Sequence, residues 1–250
     1  MNVNQDVDYL DILKKGAGYF TFRLTPNDLS EIQKLVSNHW FSVIKNNCPE
    51  SAHEFENMSI DDYHTKDNFV NHQELWSKKA RILPIENTHS IKGLSFFRQL
   101  QETFGAIQIS NEDELYEEEV YWRLVRPNKG DIGPLHADKW FWDLGHGKMP
   151  KGKGRIKLWM SLFCEGSNGL RVVPKSHLTD YPYQSVDKHG MKKPEFNEDQ
   201  WDLDIVKLNC NPGTVVVFND NLLHGGCLNL GSKSRVSMEF TMLVNNELLV

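Results

Sequence analysis

Cysteine is scarce in this chain of 250 residues, which has only Cys48, Cys164, Cys210 and Cys227, and no two of them form a C-x-x-C pair. Thiols so widely spaced are not the pattern of a disulfide framework or of a structural zinc site. The sequence also lacks an apolar run of about 18 residues, which argues against a membrane-spanning helix. Its start lacks the basic residues, apolar run and cleavage site of a secretory signal. These absences lead us to expect a cytoplasmic protein with reduced thiols and no membrane span.

An excess of positive charge is also missing, because the formal net charge is -6. A general nucleic-acid-binding surface needs a basic footprint, so we expect no nucleic-acid partner. Residues 121–157 differ from the rest, with nine Lys or Arg against three Asp. This basic segment is either an ordinary solvated face or a region that attracts an anionic small molecule. Nothing in the sequence indicates an oligomeric state.

No repeat, low-complexity tract or linker divides the chain, and its length suits one domain over residues 1–250. Residues 1–105 are predicted to be helical and mixed. Thr25 as N-cap and Pro26 at the first helical position indicate a helix whose apolar residues recur at helical spacing. Residues 93–105 predict a second helix, with Gly105 as its C-terminal stop.

From residue 106 the pattern changes to short strands separated by Gly, Pro and Asn. The predicted strands are AIQIS, VYWRLVR, RIKLWMSLF, GLRVV, TVVVFND and RVSMEFTMLV. Many short strands without intervening helices favour an antiparallel sandwich or barrel. We therefore expect a mainly β fold with flanking helices and a jelly-roll, cupin-like core over 106–250. Residues 178–203 are polar and poorly periodic, which predicts a long loop that could act as a lid.

The stretch GPLHADKWFWD places His136 and Asp138 one residue apart. On an extended strand or at its end, side chains two residues apart project from the same face, so both could reach one ion. His224, after the apolar strand TVVVF, is the candidate third ligand; the alternative is a turn histidine bonded to the backbone. Two imidazoles and one carboxylate are the ligand set of non-haem ferrous oxygenases. The pair His72 and Glu74 has the same spacing but no strand pattern around it.

Arg235 begins the last apolar strand, and Ser237 follows two residues later on the same face. A guanidinium offers a planar fork for a carboxylate, and a nearby hydroxyl can add a hydrogen bond. We predict that this pair holds the distal carboxylate of 2-oxoglutarate. The alternatives are that Arg235 forms a surface salt bridge and that Ser237 merely occupies a position in the strand.

Together these segments resemble the phytanoyl-CoA dioxygenase-like family of iron and 2-oxoglutarate-dependent oxygenases. The resemblance rests on PLHADKWFWD, LWMSLFCEGSNGLRVVPKSH, PGTVVVFNDNLLHGG and SRVSMEF, and it spans roughly residues 106–244. It implies a double-stranded β-helix, or jelly-roll, core. It also implies hydroxylation by dioxygen coupled to decarboxylation of 2-oxoglutarate to succinate. The iron ligands would be His136, Asp138 and His224, and the cosubstrate clamp Arg235. Related halogenases have a small residue in place of the carboxylate ligand, so Asp138 indicates oxygen transfer.

Further contacts are predicted around this site. Arg123 and Lys157, on strands that flank the first metal motif, could bind the cosubstrate, while Trp140, Phe141 and Trp159 could line the substrate pocket. The predicted function is hydroxylation of an unactivated C–H bond in a small anionic molecule, such as an acid sugar, a phosphorylated compound or a carboxylate. Two alternatives remain: a non-catalytic jelly-roll binding module, and a cupin-type metalloenzyme that does not use 2-oxoglutarate.

Overall fold

The computed structural model describes residues 8–112, 118–166, 168–188 and 190–249. The helices in this part of the chain are α1 (Tyr9–Lys14), α2 (Pro26–Asn47), α3 (Ala52–Phe55), α4 (His72–Leu75), α5 (Ile85–Lys92), α6 (Ser95–Phe104) and α7 (Asp138–Asp143). The strands are β1 (Tyr19–Arg23), β2 (Gln108–Ile109), β3 (Tyr121–Val125), β4 (Lys153–Phe163), β5 (Leu170–Val172), β6 (Gln184–Lys188), β7 (Met191–Glu195), β8 (Val206–Lys207), β9 (Thr214–Asn219), β10 (His224–Gly226) and β11 (Arg235–Asn245).

The two predicted long helices are confirmed, and a single carboxylate joins their starts. Thr25 caps α2 by accepting a hydrogen bond of 3.1 Å from the Asp28 amide. The buried Asp28 side chain in turn accepts hydrogen bonds from the Ser95 and Phe96 amides at the start of α6, which has no side-chain cap of its own. α6 ends before Gly105, whose φ of 72° is readily adopted only by glycine.

All six predicted strands are present, and they belong to two antiparallel sheets. The larger one, called the major sheet below, has the order β1-β9-β4-β11-β2, and β3 also pairs with β11. The smaller one, called the minor sheet, has the order β10-β5-β8. The expected antiparallel β-architecture with flanking helices is therefore confirmed.

The two faces of the major sheet have different chemistry. On β11 the side chains facing the helices are fully buried and apolar: Val236, Met238, Phe240, Met242 and Val244. Because side chains alternate along a strand, the next set projects toward the minor sheet: Arg235, Ser237, Glu239 and Thr241. The fold thus places a polar row inside the space between the sheets, and this row lies along the candidate site.

Residues 178–203 were expected to form a loop, and that prediction is wrong. They contain the antiparallel hairpin β6-β7 and a 3-10 turn at Glu198–Gln200. The hairpin strands are mostly exposed, with only Pro194 buried, and rich in Lys, Asp and Glu, so they lack the apolar alternation by which strands are usually predicted. Among the described residues, no helix combines the length and the apolar character needed to cross a membrane.

Candidate metal centre

Two histidines far apart in the chain are held side by side by backbone pairing. His136 and His224 form an antiparallel bridge in which each amide donates to the other's carbonyl, both at 2.9 Å. Their ring centroids are 4.5 Å apart. The imidazoles predicted to share an ion therefore meet beside β10, at the edge of the minor sheet.

Asp138 joins them from the end of an extended segment. His136 and Asp138 are predicted on an extended strand or at its end; the extended backbone reaches Ala137, and Asp138 is the first residue of α7. The turn into the helix nevertheless leaves the carboxylate 3.7 Å from Nε2 of His136 and 3.7 Å from Nε2 of His224. One ligand atom from each of the three residues lies within 4.8 Å of the other two.

Hydrogen bonds fix which nitrogen of each ring is free. Nδ1 of His136 lies 2.9 Å from the Pro134 carbonyl, and Nδ1 of His224 lies 2.9 Å from the Leu222 carbonyl. A carbonyl can only accept, so both Nδ1 atoms carry the proton and both Nε2 atoms keep a lone pair. This is the arrangement in which outer hydrogen bonds orient metal-binding imidazoles.

The three side chains fit a divalent metal. Oδ2 of Asp138 is buried and accepts no hydrogen bond from any described residue, although the Lys157 ammonium lies 3.5 Å away, so this oxygen still has a lone pair for a metal ion. Two nitrogen donors and one carboxylate on one side of a site suit ferrous iron and leave other coordination positions free.

The charges around the centre keep its ligands in the state that binds metal. Burial opposes ionisation of Asp138, but the Lys157 ammonium, 3.5 Å from Oδ2, holds the pKa of this carboxyl below its usual range. Burial lowers the pKa of His224 to about 4, so its imidazole is neutral at pH 7. Lys157 is therefore the main partner that keeps Asp138 ionised.

Lys157 is buried beside the triad. Its own burial works against the charge, but the carboxylates of Asp138, Glu112 and Glu239 together raise the pKa of Lys157. Its ammonium also donates to Thr241 Oγ1 at 3.3 Å. The position predicted to contact the cosubstrate thus lies against the carboxylate of a candidate metal ligand.

Arg235 lies at the other end of the polar row on β11 and is 4% exposed. Its Nη1 donates to the carbonyls of Gly169 and Cys227, each at 2.8 Å, and to that of Asn168. Its Nε is buried with no acceptor among the described residues. Burial lowers the pKa of Arg235, and the described residues place no carboxylate within ion-pair distance of it. The guanidinium is fixed in place by neutral carbonyls, and its charge is available to an anion.

Ser237 is buried two residues beyond Arg235, and it pairs across β11 and β4 with Ser161. Ser161 Oγ is buried and has no hydrogen-bond partner in the described part of the chain. The β4-β11 register skips one residue between Ser161 and Phe163. Bulges of this kind re-aim side chains next to functional sites.

Arg123 projects from β3 into the same space. It pairs in register with Ser237, but its Nε donates to Oε1 of Glu239 at 2.8 Å. Glu239 was not predicted from the sequence, although strand alternation from Arg235 and Ser237 leads directly to it. Glu112, which accepts from Thr241 Oγ1 at 2.8 Å, was not predicted either, because it lies in a loop with no recognisable pattern.

The three predicted aromatic residues lie in different places. Phe141 is edge-on to His136, with ring centroids 5.5 Å apart. Trp159 is buried between the two sheets. Trp140 stacks on Tyr183 at 5.0 Å and contacts Phe196, so it packs beneath the hairpin β6-β7. Of these three rings, Phe141 is the one that contacts a candidate ligand, and the pocket role of all three stays a prediction.

The segment 178–203 is tied to the metal-binding loop through Glu198. Its carboxylate accepts from the Leu135 amide at 3.0 Å, directly before His136. It also accepts from both Nη atoms of Arg171, at 2.9 and 3.0 Å. The segment is therefore anchored over the loop that carries two of the three ligand candidates.

Comparison with known proteins adds independent findings. A family model described as Phytanoyl-CoA dioxygenase (PhyH) matches residues 59–237. No curated protein matches the chain in sequence.

Three solved structures share its fold. The non-heme alpha ketoglutarate dependent carbocyclase SnoK from nogalamycin biosynthesis is 12% identical, with a TM-score of 0.55 over 97% of this chain and 85% of that one. The non-heme monooxygenase ThoJ is 12% identical, with a TM-score of 0.54 over 91% and 74%. EctD from S. alaskensis with bound Fe is 16% identical, with a TM-score of 0.53 over 91% and 73%. At such identities the likeness shows the fold, and the jelly-roll prediction is confirmed.

Proposed function

Since the chain belongs to the phytanoyl-CoA dioxygenase family, we propose that it hydroxylates an unactivated C–H bond of a small anionic molecule. Membership of this family makes the protein a non-haem oxygenase that depends on Fe(II), 2-oxoglutarate and dioxygen. The observation that carries the proposal is the convergence of His136, Asp138 and His224 within 4.8 Å. We propose that all 250 residues form one cytoplasmic domain, since the main apolar core joins residues before 105 to strands after it.

In this proposal His136 Nε2, His224 Nε2 and the Asp138 carboxylate hold the iron. When bound, iron and 2-oxoglutarate supply the oxidation in which dioxygen gives one oxygen atom to succinate, with release of carbon dioxide, and the other to the substrate. The protein's part is to position and to shield. The Nδ1 hydrogen bonds orient both imidazoles, and Lys157 maintains the negative charge of Asp138.

Arg235 and Ser237 are proposed to bind the distal carboxylate of 2-oxoglutarate. The supporting observation is a buried guanidinium that is held by backbone carbonyls and has no carboxylate partner among the described residues. Burying a cation without a counter-charge is costly, so a site of this kind favours an anionic ligand. Arg123 pairs in register with Ser237, and Lys157 lies at the metal end of the polar row against Asp138; we retain both as candidate cosubstrate contacts.

The anchored segment 178–203 and nearby aromatic rings are proposed to limit water access to the bound substrate. Phe141 would contact the substrate beside His136, with Trp159 behind it and Trp140 supporting the hairpin. The basic segment 121–157 supports an anionic substrate, because positive charge near a cleft raises the local concentration of anions.

The test is an anaerobic titration of the purified protein with Fe(II) and then with 2-oxoglutarate. The proposal predicts a visible charge-transfer absorbance band that requires both additions. A binding module that has lost catalysis would bind no iron, whereas a cupin-type metalloenzyme would bind metal without producing the band. Bound iron with no band would contradict the proposed function.

A further inference from the structure

A single arginine joins the helix that begins at Asp138 to the turn that leads to His224. Arg155 lies on the face of β4 that also carries Lys157, two residues later. Resting on the proposed function, we propose that Arg155 is a positioning residue, which holds α7 so that the Asp138 carboxylate and the two imidazoles reach the same metal ion. The term helix anchor below means Arg155 together with its two contacts, Trp142 and Asp220.

The helix α7 depends on contacts with its surroundings. It has only six residues, and a helix of fewer than two turns is not stable on its own. Its N-cap residue, Ala137, forms no side-chain hydrogen bond with the first amides of the helix. Because Asp138 is the first residue of α7, a tilt or rotation of the helix displaces its carboxylate. The contacts that hold α7 therefore also set the 3.7 Å distances from Asp138 to Nε2 of each histidine.

The first contact of the helix anchor joins Arg155 to the turn after β9. The strands β4 and β9 pair as far as Ile156 and Asn219, so Arg155 and Asp220 are the next neighbours across the sheet. Arg155 Nε donates to Oδ2 of Asp220 at 2.7 Å, and both side chains are largely buried. The backbone carbonyl of Asp220 accepts from the Lys139 amide at 2.9 Å. Asp220 thus binds Arg155 with its side chain and the first turn of α7 with its backbone.

The second contact joins Arg155 to the other end of α7. The guanidinium carbon lies over the Trp142 ring, 4.6 Å from the ring centroid, as in a cation–π contact. The same ring packs against Gly147, where a Cβ would lie only 2.8 Å from Cζ3 of Trp142. Trp142 lies four residues, or about one helical turn, after Asp138. The helix is therefore held near both ends through one guanidinium group.

The sign of its effect on metal affinity distinguishes this role from a direct electrostatic one. The ion-pair partner of Asp138 is Lys157, at 3.5 Å, whereas the hydrogen bond of Arg155 goes to Asp220. Removing a positive charge near a cation site should by itself strengthen the binding of a cation. If Arg155 holds α7 in place, its removal should instead weaken binding, because the Asp138 carboxylate is displaced.

The experiment uses the full chain and Co(II), whose visible absorption depends on the number and the geometry of its ligands. Affinity is measured by competition with a chromophoric chelator. Arg155→Met keeps the length of the side chain without its charge, Arg155→Lys keeps the charge without the planar group, and Trp142→Leu removes the ring without changing the charge. Lys92→Met is the control, because it also takes a cation away from a buried carboxylate, that of Glu118 at 2.6 Å, but on α5 in the helical part. Thermal melts check folding, and Arg155→Lys and Trp142→Leu decide the test if Arg155→Met does not fold.

We expect Arg155→Met to bind Co(II) about tenfold more weakly than the wild type, as is typical when an outer partner of a metal ligand is lost. Its absorption spectrum should change as well. Trp142→Leu should change affinity and spectrum in the same direction, and the affinity of Arg155→Lys should lie between those of Arg155→Met and the wild type. Lys92→Met should match the wild type. Unchanged or stronger Co(II) binding in the folded Arg155 and Trp142 variants, or a wild-type spectrum in them, overturns the proposal.

A double-mutant cycle tests whether Arg155 acts through Asp138. Asp138→Ala removes one candidate ligand and keeps both imidazoles, which should still bind Co(II) weakly. In this background Arg155→Met should change the affinity by less than about twofold, because the position of α7 no longer affects a ligand. A loss of about tenfold in this background too would mean that Arg155 acts on the site by another route, and the helix anchor would be wrong.

Failure of the helix anchor can be told apart from failure of the proposed function. If the wild type shows no absorbance band with Fe(II) and 2-oxoglutarate, the proposed function fails whatever the variants do. A normal band, together with unaltered Co(II) binding in the folded variants, rejects the helix anchor alone.

Discussion

Replacing Arg235 by Gln isolates the charge that we assign to the cosubstrate clamp. The side chain is 4% exposed, and its Nη1 is held by three backbone carbonyls. A glutamine keeps an amide that can still donate to one of these carbonyls, but it has no charge and no planar fork. Arg235→Lys keeps the charge and loses the fork, so its affinity for 2-oxoglutarate should lie between those of the wild type and Arg235→Gln.

The expected loss of affinity follows from the missing bonds. A hydrogen bond to a charged group is worth about 1.5–3 kcal/mol, so losing one raises the dissociation constant of 2-oxoglutarate about 10- to 150-fold. The variant also loses carbonyl contacts in the folded state, which should cost about 1–3 kcal/mol of stability. The two effects are separated by measuring affinity well below the melting temperature of the variant.

The assay is an anaerobic titration of the iron-loaded protein with 2-oxoglutarate, followed by visible absorbance. Arg23→Gln is the matched control, because Arg23 also donates to backbone carbonyls, including Pro212 O at 2.8 Å, but lies exposed on the edge strand β1. The control should lose some stability and bind 2-oxoglutarate normally. A folded Arg235→Gln protein with a dissociation constant within about twofold of the wild type would refute the reasoning, since no lost charge-assisted bond is that small.

Two further predictions concern stability. Burial lowers the pKa of His39 to about 4, and its Nδ1 accepts from Trp122 Nε1 at 3.0 Å, so the folded protein needs the neutral ring. The unfolded chain takes up this proton near pH 6.5, so stability should fall as the pH decreases from 6.5 to 4, by about 2 kcal/mol after allowance for partial exposure. Urea unfolding of His39→Gln across this pH range should show a smaller decrease in the free energy of unfolding than the wild type shows. A decrease equal to that of the wild type would contradict the role assigned to His39. Glu198→Ala leaves Arg171 without its carboxylate and should cost about 2 kcal/mol. Amide hydrogen exchange of residues 178–203 should then accelerate. Glu195→Ala is the control, because it removes an exposed ion pair of the same segment and should leave the exchange rates unchanged. Equal exchange rates in both variants would contradict the anchoring role of Glu198.

Parts of the fold that bury one face could be predicted from the sequence. β11 has an apolar residue at every second position, and α2 has a capping residue followed by proline and a helical stripe. Each pattern reports burial of one face, which is the dominant favourable term in folding. The exposed hairpin β6-β7 buries little and therefore leaves no such pattern in its sequence.

The residues of the candidate site could be predicted from the sequence, but the local backbone that carries them could not. His224 lies far along the chain from His136 and Asp138, and the residue types, the strand pattern and the family resemblance suggested that the three meet. The start of α7 at Asp138 could not be read from alternation, because the change of backbone direction occurs within one residue of the strand-like segment.

The central claim is tested most directly by a crystal structure of the protein soaked anaerobically with Fe(II) and measured at the iron absorption edge. The account predicts one anomalous peak about 2.0–2.3 Å from His136 Nε2, His224 Nε2 and an Asp138 oxygen, the range typical of such metal–ligand bonds. The same soak of Asp138→Ala should give a much weaker peak. A peak elsewhere in the wild type, or none between these three side chains, would contradict the account.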